Sequence, residues 1–316
     1  MSAIIAVDIG GTQIRAATYA KSETHPAQLN RIGTRDENSS PLERLIQLVE
    51  SVWPEDDSVL AIGIAAPGPL DPHQGVIIAA PNIPGWIDFP LKKKVEEHFE
   101  VPVLLGNDAN LAAYGEWRYG AGKGHHHLVY LTVSTGIGGG VIIDDHLLIG
   151  LRGMAAELGH VTILPDGPMC GCGQRGHLEA IASGTAIAEW VKQEIDRGAA
   201  SSLTGVDALT TKLIAQAAEE GDELAIAALA RSGTYIGQAL ANYLHIFNPS
   251  IVIIGGGVSH SGSLLLDPMR VAMCEHVLSN EYFENLILTT AVLGDEAGLM
   301  GALAFVRDAY PDQTND

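Results

Sequence analysis

Four potential metal ligands, His160, Cys170, Cys172 and His177, fall within a span of 18 positions. Gly171, Gly173 and Gly176 between them would let the backbone fold into a tight knuckle. A structural zinc needs four such nitrogen or sulfur donors in a tetrahedron, so a Cys2His2 zinc site is expected. The alternatives are a three-ligand site, or no metal with His177 at the surface. Cys170 and Cys172 are separated by one residue, a spacing that suits a metal better than a structural disulfide. Cys274 stands alone and reads as buried core. His125, His126 and His127 are consecutive in a Gly-flanked loop and cannot converge on one ion in regular structure, so they are read as structural.

A second constellation is Gly106-Asn107-Asp108-Ala109-Asn110 at the end of an apolar run. A carboxylate beside an amide can accept the proton of an attacking alcohol while the amide holds a neighbouring hydroxyl. The bland alternative is an N-cap. Three Gly-rich turns each follow an apolar run: Asp8–Thr12, Ser134–Gly140 and Gly255–Gly257. Such turns bring backbone N–H groups close to phosphate. There is no G-x-x-x-x-G-K-[ST] sequence, and the turn at Gly136 leads into a strand, so neither a P-loop nor a dinucleotide fingerprint is present.

These groups need strands that end at them. Strands are predicted at 3–8, 14–19, 59–66, 75–80, 101–105, 128–133, 141–144, 251–254 and 286–292. Helices are predicted at 41–52, 91–99, 109–119, 185–197, 207–217, 223–247, 268–277 and 296–310. The alternation is that of an α/β protein. The pattern strand, Thr-Gly turn, strand occurs twice, which suggests an internal structural repeat. The Gly-Ala-Gly-Lys-Gly segment at 120–124 reads as a hinge.

The chain has 316 residues, 47% of them hydrophobic, enough for about two domains. With 18 Lys+Arg against 38 Asp+Glu the net charge is −20, which argues against nucleic-acid and anionic-lipid partners. No apolar run approaches ~18 residues and no basic leader precedes the first strand, so a cytoplasmic protein without membrane contact is expected.

Asp8-Ile-Gly-Gly-Thr12, Leu131-Thr-Val-Ser-Thr-Gly-Ile-Gly-Gly-Gly140 and Gly255-Gly-Gly257 resemble the two phosphate turns and the adenosine turn of the sugar kinase/actin ATPase superfold. With the Asn-Asp and His/Cys motifs, the chain resembles the ROK family (repressors, open reading frames, kinases) on its glucokinase side, from Ile4 to about Val306. The resemblance implies two ribonuclease-H-like (actin-like ATPase) α/β domains flanking a cleft. They would comprise residues 1–121 and 122–296, with a helix at 297–311 packing back on the first. It implies ATP-dependent phosphorylation of the 6-OH of a hexose, glucose first, with a place in glycolysis. Asp108 would be the general base, and Asn82, Asn107, Glu157, His160 and Glu179 would contact the sugar. Asp8 would act on Mg2+ through water. Gly10, Gly11, Thr12, Thr135 and Gly136 would hold phosphates, and Gly256 and Gly257 would approach the nucleotide. The zinc on His160, Cys170, Cys172 and His177 would be structural. The family pattern ends in a third Cys where this chain has His177, itself an ordinary zinc ligand.

Within the resemblance, N-acetylglucosamine, N-acetylmannosamine and other hexoses are rival substrates. A sugar-sensing repressor is disfavoured, because the first phosphate strand begins at residue 3 and leaves no helix-turn-helix ahead of it. A homodimer is expected from the resemblance alone. Glu157 and Glu179 could otherwise be solvated helix acids. Asn82 could be an ordinary turn residue, and Trp86 is read as pinning its loop.

Overall fold

Residues 3–9 are apolar except for Asp8 because both faces of the strand they form are covered. Ile4 and Ala6 pack into one core, and Ile5 and Val7 into another. Strand alternation thus explains a run with no polar side. The computed structural model describes residues 2–56, 58–80 and 82–311. Pro81, which opens the predicted Pro/Gly loop before Trp86, lies outside the described residues.

The first half contains β1 (Ala3–Ile9), β2 (Gln13–Ala20), β3 (Gln28–Gly33), α1 (Pro41–Glu50), β4 (Val59–Ala66), β5 (Leu70–Asp71), β6 (Val76–Ala79), β7 (Ile87–Phe89), α2 (Leu91–Phe99), β8 (Val103–Asn107) and α3 (Asp108–Tyr119). The second contains β9 (Leu128–Val133), β10 (Ile137–Ile143), β11 (His146–Leu147), α4 (Leu178–Ala182), α5 (Gly184–Asp196), α6 (Thr211–Glu219), α7 (Glu223–Phe247), β12 (Ile251–Gly255), α8 (Ser263–His276), β13 (Ile287–Thr290) and α9 (Ala297–Ala309).

The two large sheets repeat one plan. Their orders are β3-β2-β1-β4-β8 and β11-β10-β9-β12-β13. In each, the first three strands are antiparallel and the last two join in parallel. The suggested repeat therefore extends over five strands. Strands β5 to β7 form a small separate sheet.

Three cores follow. One lies between the second sheet and α5, α7 and α8, and another between the first sheet and α1 and α2. The third lies between the sheets, where Ala6 and Ala65 meet Leu111, Tyr130, Ile253 and Leu303. Here α3 and α9 cross closely: a Cβ on Gly115 would stand 2.6 Å from Ala297 O. Helix α9 also covers β4, where a Cβ on Gly63 would stand 2.5 Å from Ala302 O.

Several expectations change. Gly138, Gly139 and Gly140 are not in a turn; they belong to β10. A Cβ on Gly138 would lie 2.8 Å from that of Ala109, one on Gly139 2.6 Å from Leu158 Cδ1, and one on Gly140 would fall on Ala113. These glycines let α3 and the Leu158 turn pack on the strand. Cys274 is exposed on α8, beside the buried Ala272 and Met273. The three histidines have separate partners: His125 Nδ1 with Ser250 Oγ (2.8 Å), His126 Nδ1 with Asp145 Oδ1 (2.7 Å) and His127 Nε2 with Asp144 Oδ1 (3.5 Å). Trp86 is buried and stacks on Phe89, so it pins its loop as expected.

Candidate active site

Strand β8 ends at Asn107 and α3 begins at the next residue. Asn107 Oδ1 accepts the N–H groups of Ala109 (3.0 Å) and Asn110 (3.1 Å), so Asn107 is the N-cap. Asp108 Oδ1 accepts the Ala109 N–H at 2.8 Å. It faces a cavity of about 770 Å³ between the sheets, whose wall also holds Asp8, Asn107, Glu157, His160 and Glu179.

Burial pushes the Asp108 carboxyl up to about 7, opposed by the Ala109 N–H and reinforced by the charges of Asp8 and Glu157. Burial also raises Glu157, with His160 opposing and Glu179 adding. Asp8 is raised by burial against the pull of Arg15, with Asp295 adding. Arg15 pairs directly with Asp8. Sequence reading missed Arg15, although the β1–β2 hairpin register, which sets Asp8 opposite Arg15, carries the signal.

Glu157 leads into a 3-10 turn at Leu158–His160, held by Tyr243 Oη donating to Leu158 O at 2.5 Å. The His160 ring nitrogen Nδ1 lies 3.3 Å from His177 Nδ1 and 3.7 Å from Cys170 Sγ, and Cys172 Sγ lies 3.3 Å from His177 Nδ1. All four donor atoms fall within 4.8 Å of one another. His177 is buried, not at the surface. The donor set fits a Cys2His2 zinc in type, number and convergence. Burial raises the Cys170 thiol to about 11, a direction that a bound cation reverses.

Glu179, in the first turn of α4, is not a solvated helix acid. Its Oε2 accepts the Ile137 N–H at 3.0 Å, and its Oε1 accepts from Cys170 Sγ at 3.5 Å. One carboxylate thus links the His/Cys knuckle to the turn at Ser134–Gly136. A Cβ on Gly136 would fall on that carboxylate.

A second cavity of about 1080 Å³ adjoins the first, sharing Ser134, Gly257 and His260 with it. Thr135, Lys192 and Lys212 line it further out. Gly256, at φ +83°, presses against Val133 O and so requires glycine. The structure therefore sets a buried carboxylate in one cavity and a second cavity beside it.

The ROK family profile matches residues 4–309. The chain belongs to the ROK family. A glucokinase of Thermotoga maritima is 36% identical over 96% of this chain and 97% of its own length. The crystal structure of a ROK family glucokinase from Streptomyces griseus in complex with glucose and AMPPNP superposes with a TM-score of 0.84 at 38% identity, covering 97% of this chain and all of that one. A xylose repressor of Caldicellulosiruptor bescii is also 36% identical, over 78% of this chain and 62% of its own length. The fold is the two-part actin-like ATPase architecture of these ROK structures.

Not every residue expected of a ROK site gathers in this one. Gly10, Gly11 and Thr12 form the tip of the β1–β2 hairpin, outside both cavity walls. Asn82 is exposed, sits against Gly11 and takes the Arg35 guanidinium on its carbonyl; it too is outside the wall that holds Asp108. Lys192, Lys212 and His260 were not singled out in the ROK sequence. For His260 a signal existed, because it lies three residues past the Gly255–Gly257 turn. The lysines lie on α5 and α6, where nothing local marks them.

Proposed function

We propose that the chain is an ATP-dependent hexokinase that converts glucose to glucose 6-phosphate. The observation that carries this reading is Asp108, a buried carboxylate raised to about 7 on the wall of the polar pocket, which adjoins the second pocket through Ser134, Gly257 and His260. The polar pocket takes the sugar, with Asn107, Glu157, His160 and Glu179 around its hydroxyls. The second pocket takes the nucleotide, with Thr135 and Gly257 on its wall and Gly256 on the adjoining wall toward the phosphates.

Asp108 accepts the proton of the 6-OH as that oxygen attacks the γ-phosphorus. The bond to the β,γ-bridging oxygen breaks and ADP leaves with that electron pair. Phosphoryl transfer depends mainly on positioning and charge, so the Asn107 cap and the burial of Asp108 serve the step directly. Asp8 is the residue to hold Mg2+, through water, and Gly10, Gly11 and Thr12 close over the phosphates from the hairpin tip. Bound Mg2+ neutralises phosphate charge. His160, Cys170, Cys172 and His177 hold a structural zinc that orders the knuckle, leaving the second His160 nitrogen for the sugar. Asn82 reaches the sugar from the loop beside Gly11.

We divide the chain into domains of residues 1–121 and 122–296, with the helix at 297–311 returning to the first. We assign it to the cytoplasm, as a homodimer feeding glycolysis. Among the described residues no helix is long and apolar enough to cross a membrane. A sugar-sensing repressor role has weaker support, because it makes no use of a base tuned near neutrality.

The test is ADP release across glucose, N-acetylglucosamine, N-acetylmannosamine, mannose and fructose, with Asp108→Ala as control. Glucose should give the highest kcat/KM. Turnover confined to an N-acetylated sugar would reassign the substrate, and no turnover on any would reject the kinase reading.

A further inference from the structure

The chain passes between the two sheets twice, over residues 120–127 after α3 and over residues 291–296 before α9. Both passages meet on one side chain. Glu116, near the end of α3, is wholly buried at 0% exposure. Its Oε2 accepts the Ala121 N–H on the first passage at 2.9 Å. Its Oε1 accepts the Val292 and Leu293 N–H groups on the second, at 2.9 and 2.7 Å. Its main-chain carbonyl accepts the Gly120 and Gly122 N–H groups at 3.0 and 2.9 Å.

Among the described residues, every hydrogen bond that the carboxylate accepts comes from a backbone N–H. A buried charge held this way is costly to disturb, because each lost donor leaves part of the carboxylate unsatisfied. The surrounding glycines follow from it. A Cβ on Gly120 would fall on Oε2, and one on Gly122 would fall on Leu128 Cδ1 while standing 3.2 Å from Glu116 O. The glycines at 120 and 122 therefore serve close wrapping around Glu116.

We infer that Glu116 is the pivot pin of the molecule, a positioning residue that confines the two halves to one closing motion over the hexose. A single carboxylate bonded to both passages prevents either from shifting alone, so what remains is rotation about the pin. Glu116 lines neither cavity and touches no reacting atom. The inference rests on the hexokinase reading in one respect, that a sugar drives the closure.

Gln at this position keeps the volume but has only one acceptor oxygen. Its NH2 group must face an N–H on one of the passages, which detaches that passage. The experiment uses the full chain, as wild type and as Glu116→Gln. In wild type, the Ala121, Val292 and Leu293 amides should exchange slowly with solvent deuterium both without and with glucose, because a pivot keeps its bonds while the halves move. Fast exchange on either passage in the sugar-free protein overturns the pin.

In Glu116→Gln, the glucose KM should rise by about tenfold, with a smaller change in kcat. The fall in radius of gyration on adding glucose, read by small-angle scattering, should shrink or disappear. A folded variant with wild-type KM and wild-type compaction overturns the inference. If the variant does not fold, the wild-type exchange pattern decides. A wild type that phosphorylates no hexose rejects the functional reading, and exchange with and without ATP then judges the pin.

Discussion

Asn107 and Asp108 share the Ala109 N–H at the start of helix α3, and Asn107 also takes the Asn110 N–H as the N-cap. Both are polar residues at a strand-to-helix junction, where either could serve as N-cap. The amide oxygen of Asn107 takes the Ala109 and Asn110 N–H groups, while the Asp108 carboxylate points into the cleft. Mutation should separate the two roles. Asp108→Ala should lose roughly 10²-fold or more in kcat while keeping its fold. Asn107→Ala should lose about 1 kcal/mol of stability from the cap alone. Steady-state kinetics and urea unfolding on the two variants check this; substantial turnover by folded Asp108→Ala would remove it as the base.

The raised Asp108 carboxyl has opposite consequences for activity and stability. A general base must be ionised, so kcat/KM for glucose should rise with pH through about 7. The native state holds this proton from the ordinary 3.8 up to about 7, whereas the unfolded chain has already released it. Stability from this group therefore falls as pH climbs through that window. Asp108→Asn should be the more stable protein at about pH 8, with the advantage shrinking toward about pH 5. Paired urea titrations at the two pH values measure it, and an equal difference at both would contradict the assigned ionisation.

Purified protein should carry about one zinc per chain. His177→Ala should lose the metal and unfold at lower temperature, whereas His177→Cys should retain it. Metal analysis with thermal melts distinguishes these outcomes. Zinc-free wild type of full stability would dismiss the site.

Gly140→Val should destabilise the protein by roughly 1–3 kcal/mol through overpacking against α3. Its KM for ATP should stay near wild type, because Gly140 is a strand residue. Gly256→Ala should raise the KM for ATP, because a side chain there collides with Val133 at a positive φ. An ATP-binding defect in Gly140→Val without loss of stability would return that glycine to the phosphate site.

The sequence was most readable where one physical signal acted alone. The apolar runs at 3–8, 14–19, 59–66, 128–133 and 251–254 became strands to within a residue at each end, and helices α2 and α7 match their predicted spans. Strand β3 escaped because it is an edge with alternating exposure and a polar composition. Helix α8 begins at Ser263, ahead of the Pro268 where a proline-start rule would put it. The His/Cys knuckle was readable because its donors lie close along the chain. The glycine run at 138–140 was not, because a loop and a close helix–strand contact both demand glycine. Arg15 and Glu116 act through residues distant in sequence or on a neighbouring strand, and only the fold brings those partners together.

The shared strand order of the two sheets has one further consequence. In the first half, the link from the third strand to the fourth carries one helix, α1. In the second, the equivalent link from β11 to β12 carries Glu157, Glu179, the His/Cys knuckle and four helices. On the hexokinase reading proposed above, sugar recognition is a cassette inserted into a repeated frame. Such a cassette can diversify toward new hexoses while the strands that end at Asp8, Asn107 and Gly255 stay as they are.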